Sequence, residues 1–171
     1  MGSLDTESAG IGGHMVSRHE LLEFMRSVPL VTLATISPEG APTAALLGVA
    51  VSDRFELVFD TLETSRKFHS LQREPRVAVV FGTAGAYRSG SHDERTVQYE
   101  GEADVPSGEE LERVRETIYF KRFPDGRARL EWPHIAYVRV RPVWMRYSNY
   151  NASPPEIVEL SGNELAKLVG A

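Results

Sequence analysis

The sequence predicts a mainly β domain with peripheral helices, built as an antiparallel Greek-key barrel of six to seven strands. Three observations carry that prediction. Apolar, β-branched segments of similar length recur along the chain, and short Gly-, Pro- and Ser-containing turns suited to hairpins separate them. Helical spacing is confined to short capped stretches at the crossovers, the arrangement expected of a closed or nearly closed antiparallel sheet.

The elements follow in order. Ser17 and Glu20 form a capping-box pattern, and Leu21, Met25 and Val28 recur at helical spacing until Pro29 stops the run. Leu30 to Ile36 and Ala41 to Val51 read as two strands of a hairpin joined by Ser37-Pro38-Glu39-Gly40. After the turn Ser52-Asp53-Arg54, a third strand runs from Phe55 to Asp60, with Phe55, Leu57 and Phe59 on one face and Glu56, Val58 and Asp60 on the other. Thr64 or Ser65 caps a helix that reaches Arg73 and is blocked by Pro75. Arg76 to Gly82 is a buried-type strand, Thr83 to Glu94 a polar loop, and Arg95 to Val105 a long strand pausing at Gly101. Ser107 and Glu110 predict a second capping box, opening a helix to Phe120 that Pro124-Asp125-Gly126 ends. Ile135 to Arg141 and Val143 to Tyr147 supply the last strands on either side of Pro142, and Ser161 with Glu164 starts a final short helix.

These limits suggest a flexible arm or vector-derived leader over residues 1–15, a single domain over 16–150, and a C-terminal extension with a short helix over 151–171. Hydrophobic residues make up 42% and charged residues 25%, an ordinary globular mix. A net charge of −5 argues against nucleic acid as partner, because that binding requires Lys and Arg to neutralise phosphates. With no cysteine the chain has no disulfide, thiolate metal site or Cys nucleophile. No apolar run approaches the ~20 residues that span a bilayer, and the first residues lack a signal-peptide pattern, so no membrane and a cytoplasmic location are expected. No metal is expected either. His19-Glu20-Leu21-Leu22-Glu23 lacks the second His of a zinc helix, and His14, His69, His92 and His134 are scattered without ligand spacing.

One constellation points to a ligand. In Thr64-Ser65-Arg66-Lys67 a strand gives way to a helix, so free backbone N–H groups, a hydroxyl and two cations converge where an anion, above all a phosphate, is favoured.

The residues around it extend the pattern. Phe59-Asp60-Thr61, Ser65-Arg66-Lys67, Pro75-Arg76-Val77 and Phe81 resemble the pyridoxamine 5′-phosphate oxidase family. The resemblance runs from Val16 to Tyr147, through Ala34-Thr35-Ile36, Gly40 and Pro42, Arg95 and Val97, Gly101 and Ala103, Tyr119-Phe120 and Trp144. It implies an FMN-binding split barrel, usually a homodimer with the flavin in a cleft between subunits. By the same correspondence Arg66 and Lys67 hold the FMN phosphate beside Ser65, while Ala45-Leu46-Leu47 and Asp60-Thr61 line the isoalloxazine ring. Thr96 stands where the oxidase has a flavin-contacting Gln, and Gln98 shares its strand face. Trp144 matches a Trp that reaches the flavin from the second subunit, with Arg146 beside it.

The departures concern the substrate. The oxidase family grips its substrate phosphate with Lys, Tyr, Arg and Ser; here Tyr119 is kept, but Ala50, Phe123 and Arg127 occupy the other three positions. Tyr150 and Ala152 replace the Arg and His that follow the Trp, and Ala45 stands where a flavin-contacting Arg is expected. The expectation is therefore an FMN-dependent oxidoreductase acting on an unidentified small substrate, not an efficient pyridoxamine 5′-phosphate oxidase. Tyr119 and Arg127 are candidates to orient that substrate; catalytic residues are not assigned. Two alternatives use the same fold: a reductase carrying the deazaflavin F420, and a non-enzymatic flavin-binding module.

Overall fold

The structure is a computed structural model that describes residues 16–82 and 93–170. The expected arm 1–15 and residues 83–92 of the expected loop, with His14 and His92, lie outside the described residues. Helix α1 (Arg18–Ser27) begins on the anticipated capping box: the Ser17 hydroxyl accepts from the Glu20 N–H, and the Glu20 carboxylate accepts from the Ser17 N–H. Strands β1 (Val31–Ile36) and β2 (Pro42–Leu47) form the first hairpin. Gly40, at φ +83°, takes the left-handed position of its turn, which a side chain would disfavour.

The expected strand from Ala41 to Val51 is in fact two. β2 ends at Leu47, and β3 (Ala50–Val51) pairs instead with β4 (Leu57–Leu62). The sheet runs β2-β1-β5-β6-β7-β4-β3, so its two ends are joined by only Gly48 and Val49. That short link requires the sheet to curl round on itself, which makes a split barrel from an apolar run that reads as one strand. A Cβ on Gly48 would stand 3.0 Å from the Phe123 ring, so the missing side chain lets the crossing pack tightly.

Helix α2 (Arg66–Arg73) crosses to β5 (Arg76–Gly82), which pairs with β1 and with β6 (Arg95–Asp104). β5 buries Val77, Val79 and Phe81 and exposes the residues between, so it is covered on one face and not on both as its composition suggested. β7 (Ile135–Asn149) runs unbroken through Pro142, because an irregularity opposite Glu100 and Gly101 leaves Val143 without a partner and takes up the proline. One strand was missed: β8 (Glu156–Ser161), in the expected C-terminal extension, pairs with the end of β7 and brings the sheet to eight strands. Helix α5 (Gly162–Gly170) follows it.

The second capping box does not form. Helix α3 (Gly108–Val114) receives no side-chain cap from Ser107, and the Glu110 carboxylate that would complete the box is taken by the Arg139 guanidinium 2.5 Å away. α3 widens into a π-helical turn over Arg115–Tyr119, resumes as α4 (Phe120–Arg122), and leads to a 3₁₀ segment over Pro124–Glu131.

Two cores result. The barrel interior holds Leu33, Phe59, Phe81, Val97, Val138 and Met145, closed by Phe24 and Met25 of α1. A second cluster lies under α3, the π-helical turn and α4, where Val114, Ile118, Tyr119 and Phe120 cover Ala50, Val58 and Tyr137. Val58, on the strand face shared with Glu56 and Asp60, is therefore fully buried from the outer side.

Arg139, 2% exposed, sits beside this cluster and donates to Asp104 and Glu110. Its hydrogen bond holds the Glu110 carboxyl below its ordinary range, and Arg76, Arg95 and Arg26 do the same for Glu74, held at about 2, Asp93 and Asp53. A depressed carboxylate adds stability above its unfolded value and loses it as the pH falls through its folded one. The melting temperature is expected to be steady from neutrality to about pH 5 and to fall between about pH 4 and pH 2; a melting curve that does not change over that interval contradicts the pairing.

Candidate functional site

Thr64-Ser65-Arg66-Lys67 runs from the end of β4 into the start of α2, the strand-to-helix junction expected of it. Ser65 caps α2, its hydroxyl accepting from the Phe68 N–H and meeting the Thr61 hydroxyl at 3.0 Å. Thr61 is the penultimate residue of β4, so strand and helix start are tied by one hydroxyl pair. Arg66 is exposed and Lys67 half-buried. Among the described residues neither cation has an ion-pair partner.

These residues border a cleft of about 340 Å³ between the end of β2, the end of β4, the start of α2 and the 3₁₀ segment. Leu47, Leu62, Ile135 and Trp132 supply its apolar walls, and Asp60, Thr61, Ser65, Lys67 and Arg129 its polar groups. Trp132 is 53% exposed, an aromatic ring left at the rim of a cavity. Of the sequence-predicted residues, the structure thus gathers Leu47, Asp60, Thr61, Ser65 and Lys67 around one space. Arg66 adjoins it at the helix start. Ala45 and Leu46 lie on the same strand, with Leu46 on the outer face and 67% exposed.

The others lie elsewhere on one chain. Thr96 and Gln98 on β6 oppose Ser148 and Arg146 on β7, and Trp144 opposes Glu100, so Thr96, Gln98, Trp144 and Arg146 share the outer sheet face rather than the lining of the cleft. Arg146 lies 3.7 Å from Glu159 of β8. Arg127 is spent on a surface pair with Glu116, at 2.5 and 2.8 Å, and stacks 4.4 Å from the Phe120 ring.

The cation that does reach the cleft from this segment is Arg129, which sequence reasoning passed over. Its Nε donates to Asp60 Oδ2 and its Nη2 to the Tyr119 hydroxyl, both at 2.6 Å. Burial pushes the Tyr119 phenol well above its ordinary value, so it stays protonated, and the bond to Tyr119 raises Arg129 in turn. The π-helical turn places Tyr119 there, and Gly126 makes room for it: a Cβ on Gly126 would fall 2.7 Å from the Tyr119 ring. No local signal marks Arg129, since its carboxylate partner lies 69 residues away.

The positions that would grip a substrate phosphate in the resembled family are filled. Ala50 is 1% exposed in the second core, and Phe123 packs against the Tyr119 ring at 5.2 Å. Among the described residues no group of three or more His, Asp or Glu is placed to hold a metal, and no helix is long and apolar enough to cross a membrane.

No match is found among curated protein sequences. Among solved structures, a conserved hypothetical protein from Mycobacterium tuberculosis is 25% identical, covering 87% of this chain and 94% of its own, with a TM-score of 0.65. A pyridoxamine 5′-phosphate oxidase-related, FMN-binding protein from Nostoc punctiforme is 16% identical over 85% of this chain and 88% of its own, TM-score 0.63. A heme-binding protein from Mycobacterium smegmatis is 19% identical over 91% of this chain, TM-score 0.70, and this chain spans 62% of that protein's length. Residues 17–154 match the sequence profile described as pyridoxamine 5′-phosphate oxidase, which covers β1 to β7 and the whole cleft. The chain belongs to the pyridoxamine 5′-phosphate oxidase family.

Proposed function

We propose that the protein binds FMN in this cleft and serves as an FMN-dependent oxidoreductase for a small molecule other than pyridoxamine 5′-phosphate. The observation that carries the reading is the junction of Thr61, Ser65 and Lys67 with the apolar walls Leu47, Leu62, Ile135 and Trp132: a phosphate-type anchor beside a surface suited to a flat ring. Ser65, Arg66, Lys67 and the first N–H groups of α2 would hold the phosphate, and the apolar walls would exclude water from the ring. FMN, when bound, supplies hydride and electron transfer. Asp60 is engaged by Arg129 and Tyr119 is held protonated, so in this reading the chain's contribution is binding and orientation rather than acid–base chemistry. The filling of the second phosphate site by Ala50 and Phe123 supports a substrate different from the vitamin phosphate.

In this reading the functional unit is a homodimer. Thr96, Gln98, Trp144 and Arg146 lie on an outer face that also exposes Leu46, Val80 and Ile157, and a second copy would bring that face to the first copy's cleft. Light scattering of the FMN-loaded protein should give twice the chain mass; a loaded monomer would refute this.

F420 presents a similar phosphate and ring and is the alternative cofactor. A heme reading has one observation of its own. His134, at φ +61° and directly before the cleft residue Ile135, is an exposed imidazole that could hold a heme iron at the edge of the cleft. The small molecule released by denaturing the purified protein separates the three. FMN near one per chain supports the proposal, and F420 or heme overturns it. With FMN present, absence of sustained flavin cycling with NADH, NADPH or quinones favours a non-enzymatic flavin-binding module.

A further inference from the structure

The cleft has two polar ends of different electrical character. At α2, Lys67 stands without a carboxylate partner among the described residues, beside the Ser65 hydroxyl. At the 3₁₀ segment the guanidinium of Arg129 is already matched by Asp60 at 2.6 Å, so this second pair is polar but close to neutral. A site built for two anions would leave both cations unmatched. This one has charge to offer an anion at a single end.

Arg129 is also held rigidly. Two of its nitrogens are bound, Nε to a carboxylate and Nη2 to a phenol that is itself 1% exposed, while Nη1 has no hydrogen-bond partner among the described residues. A guanidinium fixed at two corners loses little entropy when the third donates to a ligand, and its planar fork suits a carbonyl lying in the same plane. Gly126, whose missing side chain makes room for Tyr119 and whose Cβ would stand 3.3 Å from Arg129 Nη2, shows the backbone shaped around this pair.

We propose that Arg129, held in place by Asp60 and Tyr119, is a specificity-determining residue of the cleft, and that its free Nη1 takes the carbonyl of a neutral amide-type ring edge rather than a second anion. The class of ligand selected is a planar amide-bearing heterocycle with one phosphate end. This rests on the flavin reading above and adds to it a residue and a direction of selectivity. Ligands with two anionic ends are disfavoured, because the second anion would meet the Asp60 carboxylate as well as the guanidinium.

The test compares FMN with riboflavin, which has the same ring and no phosphate, on the intact protein, on Arg129→Met and on Arg129→Lys, with folding checked by circular dichroism. Arg129→Met should weaken both flavins by a similar ~10–100-fold, leaving the FMN-to-riboflavin ratio unchanged, because an ionic hydrogen bond to the ring is lost and the phosphate end is untouched. Arg129→Lys keeps the charge but cannot bridge Asp60 and Tyr119, and should lose nearly as much; it also decides the matter if the Met variant does not fold. Unchanged affinities in a folded variant overturn the proposal, as does a loss confined to FMN, which would place Arg129 at the phosphate. If the unaltered protein binds neither flavin, the flavin reading fails and the proposal with it.

Discussion

Replacing Arg66 and Lys67 together by alanine is expected to weaken FMN binding by ~10²–10⁴-fold while leaving the fold intact. In the proposed site each cation would offer the phosphate a charge-assisted hydrogen bond worth about 1.5–3 kcal/mol, and a tenfold change in affinity corresponds to about 1.4 kcal/mol. The structure explains why the fold should tolerate the change. Arg66 is exposed, Lys67 is half-buried, neither has an ion-pair partner among the described residues, and the cap of α2 comes from the hydroxyl of Ser65. Alanine also suits a helix start well. The double variant should therefore melt within about 2 °C of the parent, since surface changes of this kind stay within about 0.5 kcal/mol. Riboflavin binding should change little. Titration of both flavins reads the two effects separately, and an equal loss for each would mean that the cations do not face the phosphate.

The largest expected effect on stability comes from Gly101. A Cβ there would stand 2.5 Å from the Arg141 carbonyl oxygen, 2.6 Å from Val140 and 2.8 Å from the Tyr99 ring. The first of these is backbone of the paired strand and cannot rotate away. Gly101 also sits at the irregularity of β6 against β7, where the sheet makes room for Pro142, so a shift would be transmitted into the longest strand pairing of the barrel. Tyr99 adds to the cost, because its hydroxyl donates to backbone carbonyl oxygens of Phe55 and Val140, each at 3.1 Å, and that geometry would be disturbed. Gly101→Ala is expected to destabilise by about 3 kcal/mol, lowering the melting temperature by roughly 6–12 °C in a chain of this size. Gly101→Val should prevent accumulation of folded protein. Gly82→Ala is the control: its Cβ would meet only Thr96 at 3.7 Å, an ordinary contact, and less than about 1 kcal/mol is expected. Equal melting temperatures for Gly101→Ala and Gly82→Ala would contradict the close approach.

What could be seen in the sequence was what is encoded locally. The Ser17 cap, the Ser37–Gly40 turn, the Ser65 cap and the pause at Gly101 each depend on residues within a few positions, and each forms as expected. The misreadings have long-range causes. Ser107 and Glu110 carry the right spacing for a capping box, but the Arg139 guanidinium, nearly excluded from water, claims the Glu110 carboxylate. Burying that cation without its carboxylates would cost more than leaving one exposed helix start uncapped. The chain between Leu47 and Ala50 has no turn signal beyond one glycine, and only the topology reveals that the barrel closes there. β8 was missed because it is a half-exposed edge strand, whose identity comes from pairing with β7 rather than from composition.

The candidate site divides in the same way. The helix-start half, Thr61, Ser65 and Lys67, was legible because strand, cap and cations are adjacent in the chain. The Arg129 half was not, since it is assembled from Asp60, Tyr119 and Arg129 on three elements, and Arg127 is the more conspicuous residue in sequence. Tyr119, a substrate candidate in the sequence, accepts from Arg129 through its hydroxyl and packs its ring against Phe123. Thr96, Gln98, Trp144 and Arg146, expected at the flavin, lie on the outer sheet face and would meet a cleft only in the proposed dimer.

Recognition of a phosphorylated flavin through the start of α2 is the property on which the proposed function most depends. The most direct measurement is a calorimetric titration of the ligand-free protein with FMN and with riboflavin at matched ionic strength. Preference for FMN by ~100-fold or more, at one site per chain, is the result predicted from two charge-assisted contacts. Equal affinities, or no binding of FMN, would contradict it.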